Sequence, residues 1–174
     1  QACSSNIEED FEVIHVGCLP KEVPPEDHDD ITSELREKFN YVPVFLGEDL
    51  KQKYYNNFCK QTLWPILHYL LPLSTASSGR FKQDDWTAYM KANRIFVDKL
   101  MQFLRPEEDY IWIHDYHLLV LPALLRKRSY KVKIGVFLHS PFPSSEVFRA
   151  FPKREELLRS FLTADLVGFQ SFDY

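Results

Sequence analysis

The side chains best equipped for chemistry lie between residues 109 and 143, in the run DYIWIHDYHLLVLPALLRKRSYKVKIGVFLHSPFP. His114-Asp115-Tyr116-His117 gathers two imidazoles, a carboxylate and a phenol, and His139-Ser140 adds a third imidazole and a hydroxyl. A carboxylate such as Asp115 accepts two hydrogen bonds from neighbouring sugar hydroxyls, and charged acceptors form the stronger bonds. Equally, Asp115 is the residue type that caps a following helix. His139 stands before Ser140-Pro141-Phe142-Pro143. Held by the prolines, it can donate to a hydroxyl or to charge developing on a ligand oxygen; the alternative is a histidine satisfied by backbone in the core. His114 and His117 as metal ligands would need a third donor and a supporting carboxylate shell. No metal site and no cofactor is therefore expected.

Two elements must position these groups. Tyr110–Ile113 and Val132–Leu138 are short runs of β-branched and aromatic residues, read as strands buried on both faces. Between them His117–Arg128 reads as a helix, with the basic end Arg126-Lys127-Arg128 suited to its C-terminal dipole. Strand, helix, strand in this length is a parallel crossover, which ends both strands at one edge of the sheet. Open α/β sheets bind ligands at that edge.

The remaining sequence supports the same class. Phe11–Cys18 reads as a strand, a proline-rich acidic connection follows, a helix runs to Asn40, and Tyr41–Leu46 is a short strand whose Pro43 favours an edge. Glu48–Cys59 is read as a helix continuing through Leu63–Tyr69, with Pro65 starting a turn or kinking it. Leu73–Arg80 is a loop. Gln83–Leu104 places Trp86, Tyr89, Met90, Asn93, Phe96, Val97, Leu100 and Leu104 on one stripe. Ser144-Ser145-Glu146 opens a helix, Pro152–Leu162 is another with Leu157, Leu158, Phe161 and Leu162 inward, and Asp165–Phe169 is a buried strand. The expected fold is α/β, a mainly parallel sheet with helices on both faces. A sheet ending on its last strand makes the chain an expected internal piece of a longer protein, with residues 1–174 forming part of one domain.

Charge and composition narrow the function. The 174 residues are 45% hydrophobic with a net charge of −4. Residues 1–50 hold 13 acidic and 3 basic side chains, whereas residues 51–174 hold 12 and 18, an excess suited either to an anionic ligand or to an ordinary solvated surface. No basic stripe interleaved with aromatics points to nucleic acid, and no apolar run of about 20 residues points to a membrane. Three widely spaced cysteines argue for a reducing, cytoplasmic setting. Tyr55 and Trp64 are either aromatic core or the stacking face and phenol of a sugar site. Neither GxGxxG nor GxxxxGK[ST] occurs.

Tyr54-Tyr55-Asn56-Asn57-Phe58, Leu63-Trp64-Pro65, Trp112–Leu118, Phe137–Glu146 and Asp165–Phe169, in this order and spacing, resemble the trehalose-6-phosphate synthases, retaining glucosyltransferases of the two-domain GT-B fold. Phe58-Cys59-Lys60-Gln61 and His139-Ser140-Pro141 look most like the plant class II branch. The resemblance implies a partial N-terminal, Rossmann-like, acceptor-side domain. It implies glucosyl transfer from UDP-glucose to glucose 6-phosphate, giving trehalose 6-phosphate and UDP, without a metal. Tyr55 and Asp115 match acceptor-contacting positions, Trp64 matches a wall of that pocket, and His139, with Ser140 beside it, matches a residue at the transferring glucose. His139 and Asp115 are the candidate catalytic residues.

Two departures temper this. The family's active members carry Trp-x-Gly-Trp where this chain has His15-Val16-Gly17-Cys18. The family's glycine-rich loop and its phosphate-holding arginine and lysine match nothing between residues 1 and 174, so this chain alone is not expected to turn over. The alternative is a catalytically inactive domain that senses sugar phosphates.

Overall fold

The computed structural model describes residues 11–70 and 81–171. The expected loop at 73–80 lies outside them. The chain divides into two compact units, Gln1–Glu48 and Asp49–Tyr174.

In the first unit, strand β1 (His15–Cys18) pairs in parallel with β2 (Tyr41–Val44) across helix α1 (His28–Phe39). The strands are shorter than the apolar runs that announced them. Helix α1 begins before Asp30, after a 3-10 turn at Pro25–Asp27, and no side chain caps it. Asp29 and Asp30 in its first turn and Arg36 and Lys38 in its last suit its dipole. Asn40 ends it in the left-handed conformation (φ 49°), which asparagine tolerates better than most residues. Phe39, the last residue of α1, is exposed. Pro43 lies opposite Gly17 in this two-stranded pairing.

The second unit opens with helix α2 (Glu48–Lys51), which widens at once into a π-helical segment, Gln52–Leu63, before returning to α3 (Trp64–Leu67). Tyr54, Phe58, Leu63 and Leu67 are buried along it. Pro65 occupies the first turn of α3, where its missing N–H costs nothing. Helix α4 (Gln83–Leu100) buries Trp86, Tyr89, Asn93, Phe96, Val97 and Leu100 as the periodicity predicts. It ends four residues early, in turns that precede Pro106.

Strands β3 (Tyr110–His114), β4 (Lys133–Leu138) and β5 (Leu166–Phe169) form a parallel sheet in that order. One face carries Ile111, Ile113, Ile134, Val136 and Leu138, all buried. The other does not follow the expectation of two buried faces: Tyr110 and Trp112 are about half exposed and Leu166 is 65% exposed. The apolar runs on this side are aromatic rings laid over glycines. A Cβ at Gly135 would strike the Tyr110 hydroxyl, and one at Gly168 would meet Phe137 Cδ2 at 2.7 Å. As an edge strand, β5 is only partly buried.

The crossover between β3 and β4 is a 3-10 turn, Tyr116–Leu118, followed by helix α5 (Leu121–Arg128), not one continuous helix from His117. Pro122 in the first turn of α5 sets that start. Its basic end is structural. Arg126 donates to the carbonyls of Tyr130, Val132 and Thr163 and to Asp165, while Arg128 pairs with Asp98. The Asp165 carboxylate also accepts the Ile134 N–H, which with Arg126 holds its pKa below the ordinary aspartate value. This knot sits where β4 and β5 begin, at the edge opposite the candidate site. Helices α6 (Ser145–Arg149) and α7 (Arg154–Phe161) lie between β4 and β5. Leu157 and Phe161 are buried, but Leu162, expected inward, is 73% exposed because α7 ends before it. No helix among the described residues is long and apolar enough to cross a membrane.

Candidate functional site

Parallel pairing brings the ends of β3 and β4 together, so His114-Asp115 and His139-Ser140 share one edge. Asp115 is the joint. Its backbone N–H donates to the Phe137 carbonyl at 2.8 Å, and its Oδ1 accepts the Ser140 N–H at 3.1 Å. It adopts φ 60°, ψ −165°, a region nearly reserved for glycine. Although Asp115 precedes the 3-10 turn, its side chain makes no capping hydrogen bond. The carboxylate instead crosses to the neighbouring strand. Among the described residues no protein group bonds its Oδ2, which leaves that oxygen as an acceptor for a ligand.

The turn carrying Tyr116 and His117 is held from below. The hydroxyl of Tyr89, fully buried, donates to the Tyr116 carbonyl and accepts the Leu119 N–H, both at 2.9 Å. The Tyr54 hydroxyl donates to the His117 carbonyl at 3.2 Å. Burial raises the pKa of both Tyr89 and Tyr116, so these phenols stay protonated. The sequence placed Tyr89 only in a core stripe and Tyr54 only within the Tyr54–Phe58 motif, with no role of its own. A buried phenol must find a hydrogen-bond partner, and that requirement was the one signal of their role.

The wide helix delivers Tyr55. Its ring stacks on that of His117, with centroids 5.6 Å apart, and the Lys60 ammonium lies 4.4 Å above it. Burial chiefly lowers the His117 pKa; Lys60 pushes the same way and Asp115 opposes. His117 is thus favoured as the neutral ring. Trp64, 39% exposed, stacks on His68 at 4.2 Å rather than on the tetrad. Its end of the helix nevertheless meets the loop after His139, because the Tyr69 hydroxyl donates to the Phe142 carbonyl at 3.4 Å. Ser140 is buried, and His139 is exposed at the rim.

His114 and His117 point to different neighbours: His114 bonds His139, whereas His117 stacks between Tyr55 and Tyr116. No group of three or more metal-ligating side chains converges among the described residues. The edge therefore offers one carboxylate oxygen, imidazole and phenol groups, and ring faces, which is binding chemistry for a polyhydroxylated ligand. Asp115 is the one acidic residue between Tyr110 and Ser145, whereas a glycosidase relies on a pair of carboxylates. In the first unit, β1 ends in Gly17-Cys18 beneath the Tyr41 ring, whose hydroxyl donates to the Cys18 carbonyl at 3.3 Å.

The model of glycosyltransferase family 20 matches residues 2–174. The chain belongs to that family. "Alpha,alpha-trehalose-phosphate synthase [UDP-forming] 6" of Arabidopsis thaliana is 54% identical over 167 residues, 96% of this chain and 19% of that protein. This family-20 chain thus spans about a fifth of the length of that relative. An alpha,alpha-trehalose-phosphate synthase (UDP-forming) from Burkholderia xenovorans, solved in complex with glucose-6-phosphate, is 35% identical with a TM-score of 0.70, covering 76% of this chain and 28% of its own. The N-terminal domain of Candida albicans trehalose-6-phosphate phosphatase is 36% identical with a TM-score of 0.78, covering 94% and 34%. The α/β fold with parallel sheets is that of the GT-B trehalose-phosphate synthases.

Proposed function

We propose that this chain forms the acceptor side of a glucosyltransferase that moves glucose from UDP-glucose to glucose 6-phosphate, yielding trehalose 6-phosphate and UDP. The observation that carries the reading is the Asp115 joint: one carboxylate oxygen locks the two strand ends and the other is left to a ligand, while the turn that follows carries His117 stacked on Tyr55. Asp115 accepts hydroxyls of the acceptor sugar, Tyr55 and Trp64 wall its pocket, and His139, beside Ser140, donates to the transferring glucose. In the reaction the bond from the glucose anomeric carbon to the UDP oxygen breaks. A bond to the acceptor hydroxyl oxygen forms on the same face, and the acceptor proton passes to the departing phosphate. That chemistry needs positioning and charge stabilisation more than a protein nucleophile. Three widely spaced cysteines, with no CxxC pair, fit a cytoplasmic location.

The test is UDP release by the full-length gene product supplied with UDP-glucose and glucose 6-phosphate. Sustained release supports the reading; none, from folded protein, overturns it. A second reading, a sugar-phosphate-sensing domain without turnover, is favoured by His15 and Cys18, where active members carry tryptophans. Glucose 6-phosphate binding without UDP release would decide for it.

A further inference from the structure

The sheet register sets His114 opposite Phe137, so His139, two residues further along, emerges on the same face and diagonally beside His114. The two imidazoles meet there. His114 Nδ1 and His139 Nε2 are 3.2 Å apart, and the rings stack with centroids 5.4 Å apart at 26°. His114 is in turn stacked on Trp112 at 5.5 Å and 16°, while Phe137 flanks His139 at 4.7 Å. His139 is thus the last ring in a row anchored on the strand.

We propose that His114 is a positioning residue that sets the tautomer and orientation of His139; the catalytic consequence rests on the glucosyl-transfer reading above. A neutral imidazole has one N–H and one lone pair, and the bond made by one nitrogen decides what the other can do. When His114 donates from Nδ1, His139 accepts at Nε2 and carries its proton on Nδ1. That nitrogen becomes the donor a sugar hydroxyl or a phosphate-ester oxygen needs. The same logic orients a base through a third group in hydrolytic triads, with an imidazole here in place of the carboxylate. The sequence alone offered His114 only as a possible metal ligand; the parallel register gives it this other task.

The test uses the full-length gene product and the variants His114→Leu, His114→Asn, His139→Leu and the double leucine variant. Asparagine keeps a polar group near the Nδ1 position and serves as the conservative rescue. A ligand-free readout is the rate at which diethyl pyrocarbonate acylates His139, followed at one pH by peptide mass spectrometry. His114→Leu frees the Nε2 lone pair and is expected to raise that rate about threefold or more, with His114→Asn staying closer to wild type. In UDP-release kinetics His114→Leu is expected to lower kcat about tenfold, leave KM for glucose 6-phosphate within about twofold, and add nothing on top of His139→Leu. Unchanged acylation in His114→Leu, or effects of His114→Leu and His139→Leu on kcat that multiply independently, would overturn the proposal. If wild-type protein releases no UDP, the synthase reading fails, and the acylation arm still decides the His114–His139 pairing.

Discussion

The Asp115 carboxylate and the Ser140 N–H, 3.1 Å apart, join the ends of two parallel strands through a residue in a backbone conformation that suits glycine. Such a conformation costs on the order of 1–3 kcal/mol in a non-glycine residue. Asp115→Gly relieves that cost while losing one hydrogen bond, so its folding stability should stay within about 1 kcal/mol of wild type. Asp115→Ala loses the bond and keeps the strain, and should be less stable than Asp115→Gly by about 1 kcal/mol or more. Urea denaturation measures both. Equal destabilisation by the two would mean the conformation carries no strain.

Tyr89 supports the same turn from the core. Its hydroxyl satisfies both the Tyr116 carbonyl and the Leu119 N–H. Tyr89→Phe leaves these two groups without that partner at nearly constant volume and should cost about 1–3 kcal/mol, a value typical of buried polar groups left unmade. Ligand affinity should fall along with it, because the turn presents His117. A Tyr89→Phe protein as stable as wild type would show that the clasp is incidental.

His117 links the turn to pH. Its pKa is lowered in the folded state, mainly by burial. The unfolded chain, with an ordinary histidine pKa near ~6.5, therefore takes up the proton first as pH falls. The stability contributed by a neutral, stacked His117 is present above about pH 6.5 and declines below it, until the folded ring protonates as well. Denaturation midpoints measured from pH 7.5 down to 5.5 should fall less in His117→Phe than in wild type. Identical pH dependence in the two would remove His117 from the account.

What the sequence disclosed was governed by periodicity. The β3–crossover–β4 unit was legible because its apolar runs and basic helix end leave one parallel topology, and that topology puts Asp115 beside Ser140. The α4 stripe was legible for the same reason. The π-helical segment was not, because its buried positions Tyr54, Phe58, Cys59, Thr62 and Leu63 repeat at three and four residues as those of an α-helix do. The exposed sheet face was missed because Tyr110, Trp112 and Leu166 are apolar whether or not anything covers them. Asp115 left two possibilities, a cap or a ligand group. Its positive φ and its bond to Ser140 show a third use, as a tie between strands.

The central claim is that the open oxygen of Asp115 holds a sugar phosphate. Titration calorimetry of the full-length gene product with glucose 6-phosphate, wild type against Asp115→Asn, tests it most directly. Asparagine can still accept the Ser140 N–H, so the strand tie survives. It replaces the free carboxylate oxygen with a donor and removes the charge. The account predicts that wild type binds and that Asp115→Asn binds at least about tenfold more weakly, the loss expected of a charged acceptor. Equal affinity in the two proteins, or no binding by wild type, would contradict it.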